Sequence, residues 1–154
     1  TPVSRHTRII LSVDLSSLAL HAAQTMQALR LNRDGDVAAL YLFAVPEVSL
    51  MTHTAMSDKD IERHVMEEET HADGELVTFL TMAKLDGVRR IVRPLLSESP
   101  ASHIMATARE LAADLIVIGT RGRGGVARLL LGSVAEEVLR TADRDVLAVP
   151  PSTD

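Results

Sequence analysis

Cysteine and tryptophan are absent from the 154 residues, and only one tyrosine and two phenylalanines are present. Without cysteine there is no disulfide framework, no thiolate-ligated metal and no thiol redox chemistry, a pattern that fits a cytoplasmic setting. With so few aromatics in a chain that is 46% hydrophobic, the core must be built from Leu, Ile, Val, Ala and Met. Such a core suits a parallel sheet covered by helices. No apolar run approaches the roughly 18 residues of a membrane span. The opening Thr1-Pro-Val-Ser-Arg is no signal peptide, so neither a membrane nor export is expected. Positive charge is in the minority, with 16 Lys and Arg against 21 Asp and Glu and a formal net charge of −5. That balance argues against nonspecific nucleic-acid binding. Internal repeats and low-complexity stretches are lacking too, and the length suits one domain spanning residues 1–154.

What is present is an alternation of strand and helix patterns. Arg8 to Val13 reads as a first strand, and Ser16 to Leu31 as a helix with Ala19, Ala22, Ala23, Met26 and Leu29 on one face. Asn32 to Asp36 is a turn cluster. A second strand runs from Val37 to Val45 and stops at Pro46. Ser57 reads as the N-cap of a long helix reaching about Lys84, with an interruption expected near Gly74. Asp86-Gly87 turns the chain into a third strand, Val88 to Arg93. Ser99-Pro100 opens a third helix with Ile104, Ala108 and Leu111 facing inward. Leu115 to Gly119 is a buried fourth strand, Ser133 to about Arg140 a fourth helix, and Asp145 to Val149 a fifth strand closed by Pro150-Pro151. The fold class is therefore α/β: a doubly wound, Rossmann-like, five-stranded parallel sheet of order 3-2-1-4-5 with helices on both faces. Ligands of such sheets sit at the carboxyl ends of the strands where the order reverses. Here that crevice lies between strands one and four, beside Asp14 and Gly119.

The glycine-rich segment after the fourth strand points to the same crevice. Strand, glycine loop and helix N-terminus in succession form an anion site, because glycine lets backbone approach and the first helical N–H groups point outward. A Walker P-loop is excluded, since Gly132 stands before Ser133 where that motif needs lysine. Gly122-Arg-Gly-Gly-Val-Ala127 fits the dinucleotide fingerprint, but it follows the fourth strand and not the first. The spacing Gly119-x2-Gly122-x9-Gly132-Ser133, continued through Leu129-Leu-Leu-Gly-Ser-Val-Ala-Glu-Glu-Val-Leu139, resembles the ATP-binding branch of the universal stress protein family. Arg121, Arg123 and Arg128 add local positive charge to this loop on an otherwise acidic chain.

The resemblance implies a site. Asp14, in Ile9-Ile-Leu-Ser-Val-Asp-Leu-Ser16, matches the family's first-strand aspartate at the ribose and metal side, with Ser12 and Val13 beside it. Its competing role is to cap the following helix. Leu42 falls where the family's second strand offers its backbone to adenine, in a register that can slip by one residue. Gly119 would turn the chain beside the sugar. Gly122 would open the loop, and Arg121 would add charge. Gly132, Ser133 and Val134 would hold phosphate oxygens, unless Ser133 merely caps its helix. The implied ligand is ATP, with ADP or AMP as alternatives and Mg²⁺ accompanying the nucleotide. The implied role is stress-response regulation with at most slow ATP hydrolysis, in a homodimer joined through the last strand and acting on an unidentified regulatory protein. A nucleotide-independent dimer from the family's other branch and an adenine-nucleotide-using enzyme are the alternative readings. Between the third strand and third helix, Pro94-Leu-Leu-Ser-Glu-Ser-Pro100 lacks the family's usual glycine, and Glu98 there would repel a triphosphate. Histidine and glutamate pairs at i, i+4, His64 with Glu68 and Glu67 with His71, read as a solvated helix face and not as a metal site.

Overall fold

A computed structural model describes residues 6–33, 35–45, 57–96, 98–121 and 131–152. Five strands, β1 (Arg8–Val13), β2 (Asp36–Ala44), β3 (Arg89–Leu95), β4 (Leu115–Gly119) and β5 (Asp145–Val149), form one parallel sheet in the order β3-β2-β1-β4-β5. Between them run α1 (Ser17–Ala28), α2 (Asp58–Met82), α3 (Pro100–Glu110) and α4 (Ser133–Thr141). The expected sheet order is the observed one.

Near-continuous apolar strands follow from burial on both faces. Successive β1 residues point to opposite sides. Ile9 and Leu11 join α1 and α2 residues such as Met26, Leu76 and Phe79 in one core, while Ile10 joins Ile104 and Ala108 of α3 and Val138 of α4 in the other. β4 divides the same way, with Leu115 and Val117 on the first face and Ile116 and Ile118 on the second. The chain steps outward in one direction from β1 to β3 and in the other from β4 to β5. Right-handed crossovers therefore send the helix pairs to opposite faces.

The amino ends of the strands are stitched together. Asp114, just before β4, accepts from Thr7 N–H at 2.9 Å, Thr7 Oγ1 at 3.0 Å and Arg8 N–H at 3.3 Å. Burial pushes the Asp114 carboxyl up, but the Thr7 and Arg8 hydrogen bonds outweigh it and hold the group below the usual carboxylate range. Asp36 N–H reaches Thr7 O at 2.8 Å, and His6 Nε2 lies 2.9 Å from Asp145 Oδ2.

Several boundaries differ from the expected ones. Helix α1 ends at Ala28 and not near Leu31. Arg30 takes a φ of +59°, and the closing bonds run from Leu31 N–H to Met26 O and from Arg30 N–H to Gln27 O. Helix α2 runs unbroken through Gly74. Strand β2 begins one residue early at Asp36, and β3 covers Arg89–Leu95, shifted toward its carboxyl end.

Candidate functional site

At their carboxyl ends the strands part. The last β1–β2 pair is Val13 with Tyr41, yet β2 continues through Leu42, Phe43 and Ala44, still paired to β3. The last β1–β4 pair is Leu11 with Val117, while β4 continues through Ile118 and Gly119, paired to β5. Strand β1 ends before β2 on one side and parts from β4 after Leu11 on the other, so both neighbours carry backbone edges that no β1 residue pairs. Alternate residues along Leu42–Ala44 turn their N–H and C=O toward that gap. Such an edge offers a donor and an acceptor side by side, as the rim of a planar heterocycle requires.

Over the gap lies a cavity of about 830 Å³, within the roughly 300–1,000 Å³ common for small-molecule sites. Ser12, Val13, Asp14, Leu42, Gly119, Arg121, Gly132, Ser133 and Val134 all line it. Gly122, together with Arg123 and Arg128, lies outside the described residues. Glu98 is exposed and is not among the lining residues, whereas Pro100 and Leu95 are.

Asp14 divides its two oxygens. Oδ1 accepts from the Ser16 N–H at 3.0 Å and from the Ser16 hydroxyl, and Ser16 Oγ in turn caps α1 by accepting from Ala19 N–H at 3.2 Å. Oδ2 has no hydrogen bond among the described residues. The N-cap is therefore Ser16, with Asp14 supporting it from behind. Leu15 between them adopts a φ of +64°. That is uncommon for a bulky residue and holds the chain in the sharp turn that ends β1.

Glycine at 119 has a different basis from the one expected. Its φ is not in the left-handed region, and an added Cβ would meet Arg121 O and Leu18 O at 3.6 Å, ordinary contact. The turn there therefore does not depend on glycine. At α4 the N-cap is Gly132, with extended backbone (φ −75°, ψ 164°) and no side-chain cap bond. Ser133 is the first helical residue and exposed, so it does not cap the helix. Ser133, Val134 and Ala135 present the open start of α4 to the cavity. The first N–H groups of a helix have no intrahelical acceptor, an arrangement that favours an anion.

One wall was not expected from the sequence. Glu68, His71, Ala72 and Glu75 of α2 line the cavity as a single helical stripe, with His71 Nε2 3.6 Å from Glu75 Oε1. The clue in the sequence was Ala72, a small apolar residue amid a polar run. Among the described residues the lining carries three carboxylates, Asp14, Glu68 and Glu75, against one arginine, Arg121. No group of three potential metal ligands is present among the described residues. None of the described helices is long and apolar enough to cross a membrane.

The chain is thus an α/β domain, a doubly wound sheet with its cavity at the switch point and an open helix start on the rim, the place where sheets of this kind hold ligands. Residues 6–150 match the Universal stress protein family, and the chain belongs to that family. It is 34% identical over 145 residues to a universal stress protein of Methanocaldococcus jannaschii, covering 94% of this chain and 82% of that one. The solved structure of universal stress protein UspA from Lactobacillus plantarum superposes with a TM-score of 0.69 at 21% identity, over 96% of this chain and 99% of that one. A universal stress protein crystallised in complex with cAMP superposes with a TM-score of 0.59, also at 21% identity, over 95% and 98% of the two chains.

Proposed function

We propose that this chain binds an adenine nucleotide in the β1/β4 cavity and acts as a regulatory stress-response module in the cytoplasm, not as a fast enzyme. The observation that carries the reading is the open α4 N-terminus on the wall of a nucleotide-sized cavity, beside an unpaired β2 edge. The base would lie along Leu42, with Phe43 as the neighbouring register. The sugar would lie by Asp14 and Gly119, and the phosphates at Gly132, Ser133 and Val134 with Arg121 nearby. Gly122 belongs to the same motif. The three lining carboxylates disfavour a bare polyanion, which supports Mg²⁺ as companion of ATP. Asp14 Oδ2 would reach that ion through water. ADP and AMP need less charge compensation, and the cAMP complex of a relative extends the candidates to monophosphates.

Rapid turnover is not part of this reading. Fast phosphoryl transfer requires a group that orients the attacking water as well as charge stabilisation, and neither Asp14 nor the α2 stripe has been assigned that task. Hydrolysis is expected well below about 1 per second.

Self-association would use β5. The sheet has two edges, β3 and β5. The β3 edge carries Arg89, Arg90, Arg93 and Pro94, features that blunt an edge against pairing. The β5 edge runs Asp145-Val-Leu-Ala-Val149 and has no charge after its first residue. A homodimer through β5, with a regulatory protein as further partner, is the arrangement proposed. Light scattering at micromolar concentration tests the dimer, and a monomer refutes it.

Nucleotide release tests the main reading. Protein purified under native conditions is denatured and the supernatant analysed by mass spectrometry. Calorimetry then compares ATP with GTP, expected to be weaker because the base contacts are set by backbone. No released nucleotide, no heat and no thermal shift with millimolar ATP would overturn the assignment.

A further inference from the structure

Thr120 stands between Gly119 and Arg121, and nothing in the motif singled it out. It lines the cavity and is 7% exposed. Its backbone is fixed from two directions. The N–H donates to Val149 O at 2.9 Å, which carries the β4–β5 ladder one step past Gly119, and the carbonyl accepts from the N–H of Gly132. The end of β4 is thereby tied to the N-cap of α4. The side chain has no such anchor: Oγ1 is buried and has no hydrogen-bond partner among the described residues.

A buried hydroxyl without a partner is destabilising, and native proteins retain few of them. With the backbone held, a 120° step about χ1 carries the hydroxyl to the position now held by the methyl or by the hydrogen. The Thr120 hydroxyl can thus be re-aimed without moving the chain.

We infer that Thr120 is a ligand-contacting residue whose hydroxyl donates to a phosphate oxygen of the molecule seated at the start of α4. Phosphate is the matching chemistry for three reasons. Its oxygens only accept, the Thr120 carbonyl is already bonded to Gly132, and Ser133 and Val134, whose N–H groups at the start of α4 are donors, line the same cavity. This inference rests on the nucleotide reading and assigns one further contact within it.

The test uses Thr120→Val, which keeps the shape and removes the hydroxyl, and Thr120→Ser, which keeps the hydroxyl. Ligand-free Thr120→Val is expected to melt at or above the parent, by up to about 2–4 °C, because it no longer buries an unsatisfied group. Its ATP affinity should fall about tenfold or more, since hydrogen bonds to charged groups are the stronger kind. Adenosine affinity should stay within about twofold, and Thr120→Ser should hold ATP within about threefold. Unchanged ATP affinity in Thr120→Val overturns the inference. So does a ligand-free melting point well below the parent's, which would mean that the hydroxyl has a partner inside the protein. Equal losses for adenosine and ATP would move the contact from phosphate to sugar and overturn it as stated. Failure of the parent to bind ATP is a separate result, visible before any variant is made, and defeats the nucleotide reading together with this one.

Discussion

Replacing Ser133 by alanine separates ligand binding from helix capping, because Ser133 does not cap its helix. Serines stand at the starts of the other three described helices, and each accepts a backbone hydrogen bond at 3.2 Å: Ser16 from Ala19, Ser57 from Asp60, Ser99 from Ser102. Alanine at any of these should cost about 0.5–2 kcal/mol, or about 2–4 °C of melting temperature per kcal/mol at this chain length. Ser133 instead occupies the first helical position behind Gly132 and is exposed. Alanine is a good helix former, so ligand-free Ser133→Ala should stay within about 0.5 kcal/mol of the parent. The ATP complex should respond differently. A charge-assisted hydrogen bond to phosphate is worth about 1.5–3 kcal/mol, which is about 10–150-fold in Kd. Adenosine, which has no phosphate, should bind as before. Gly132→Val supplies the companion variant. Gly132 has extended backbone that valine adopts readily, so bulk there should weaken ATP at least about tenfold while the fold persists. Thermal denaturation without ligand and calorimetry with ATP and adenosine decide the matter. If Ser133→Ala melts like Ser16→Ala, or binds ATP like the parent, the assignment of α4's first turn to phosphate is wrong.

Three further outcomes are expected. Gly74 sits exposed inside α2, and an added Cβ would meet nothing within 4 Å. Gly74→Ala should therefore stabilise the protein by about 0.5–1 kcal/mol, and a lower melting temperature would contradict the continuous helix. Glu68→Gln combined with Glu75→Gln removes two negative charges from the cavity wall. ATP binding without Mg²⁺ should tighten about three- to tenfold, with the gap narrowing as Mg²⁺ or salt is added; equal affinities would place the stripe beyond reach of the phosphates. Asp114 supplies the pH dependence. Its folded carboxyl binds a proton less readily than the usual value of about 3.9, so its stabilisation is present above that pH and disappears as pH falls through the lower folded value. The melting-temperature difference between parent and Asp114→Asn should be full at neutral pH and shrink below about pH 4, and a difference constant into strong acid would refute the role given to its three hydrogen bonds.

The strands were legible where apolar runs begin and end abruptly: Arg8–Val13, Leu115–Gly119 and Asp145–Val149 stand as read. Helix ends were harder because the usual signal is missing. Arg30, Lys84 and Ala112 occupy the left-handed position after their helices at φ of 59°, 56° and 52°. A glycine there would have marked each stop, and without one the first helix was carried too far. Gly74 misled in the opposite sense, since a glycine on a solvated face weakens a helix without breaking it. The α2 wall stayed hidden because Glu68, His71 and Glu75 look like any polar face until the cavity opposite them is known. Thr120 stayed hidden because a hydroxyl's want of a partner exists only in three dimensions.

The site's position has one local cause that sequence does carry. A parallel sheet of equal strands would close its hydrogen bonds to the end and leave no gap. Here Val13 is followed by Asp14-Leu-Ser16, where the aspartate bonds to the Ser16 amide, Leu15 is forced to a φ of +64° and Ser16 starts the helix. The central strand stops there, so Leu42–Ala44 run past it on one side, while on the other Ser12 and Val13 part from Ile118 and Gly119, which stay paired to β5. The crevice is the overhang of β2 beyond β1 together with the parting of β1 from β4 after Leu11 and Val117. The carboxylate that ends the strand by bonding Ser16 through Oδ1 is thus also the one left with Oδ2 at the mouth of the gap it creates. Support of the helix cap and lining of the cavity are for that reason one arrangement at Asp14, and a substitution there is expected to disturb the start of α1 and the cavity together.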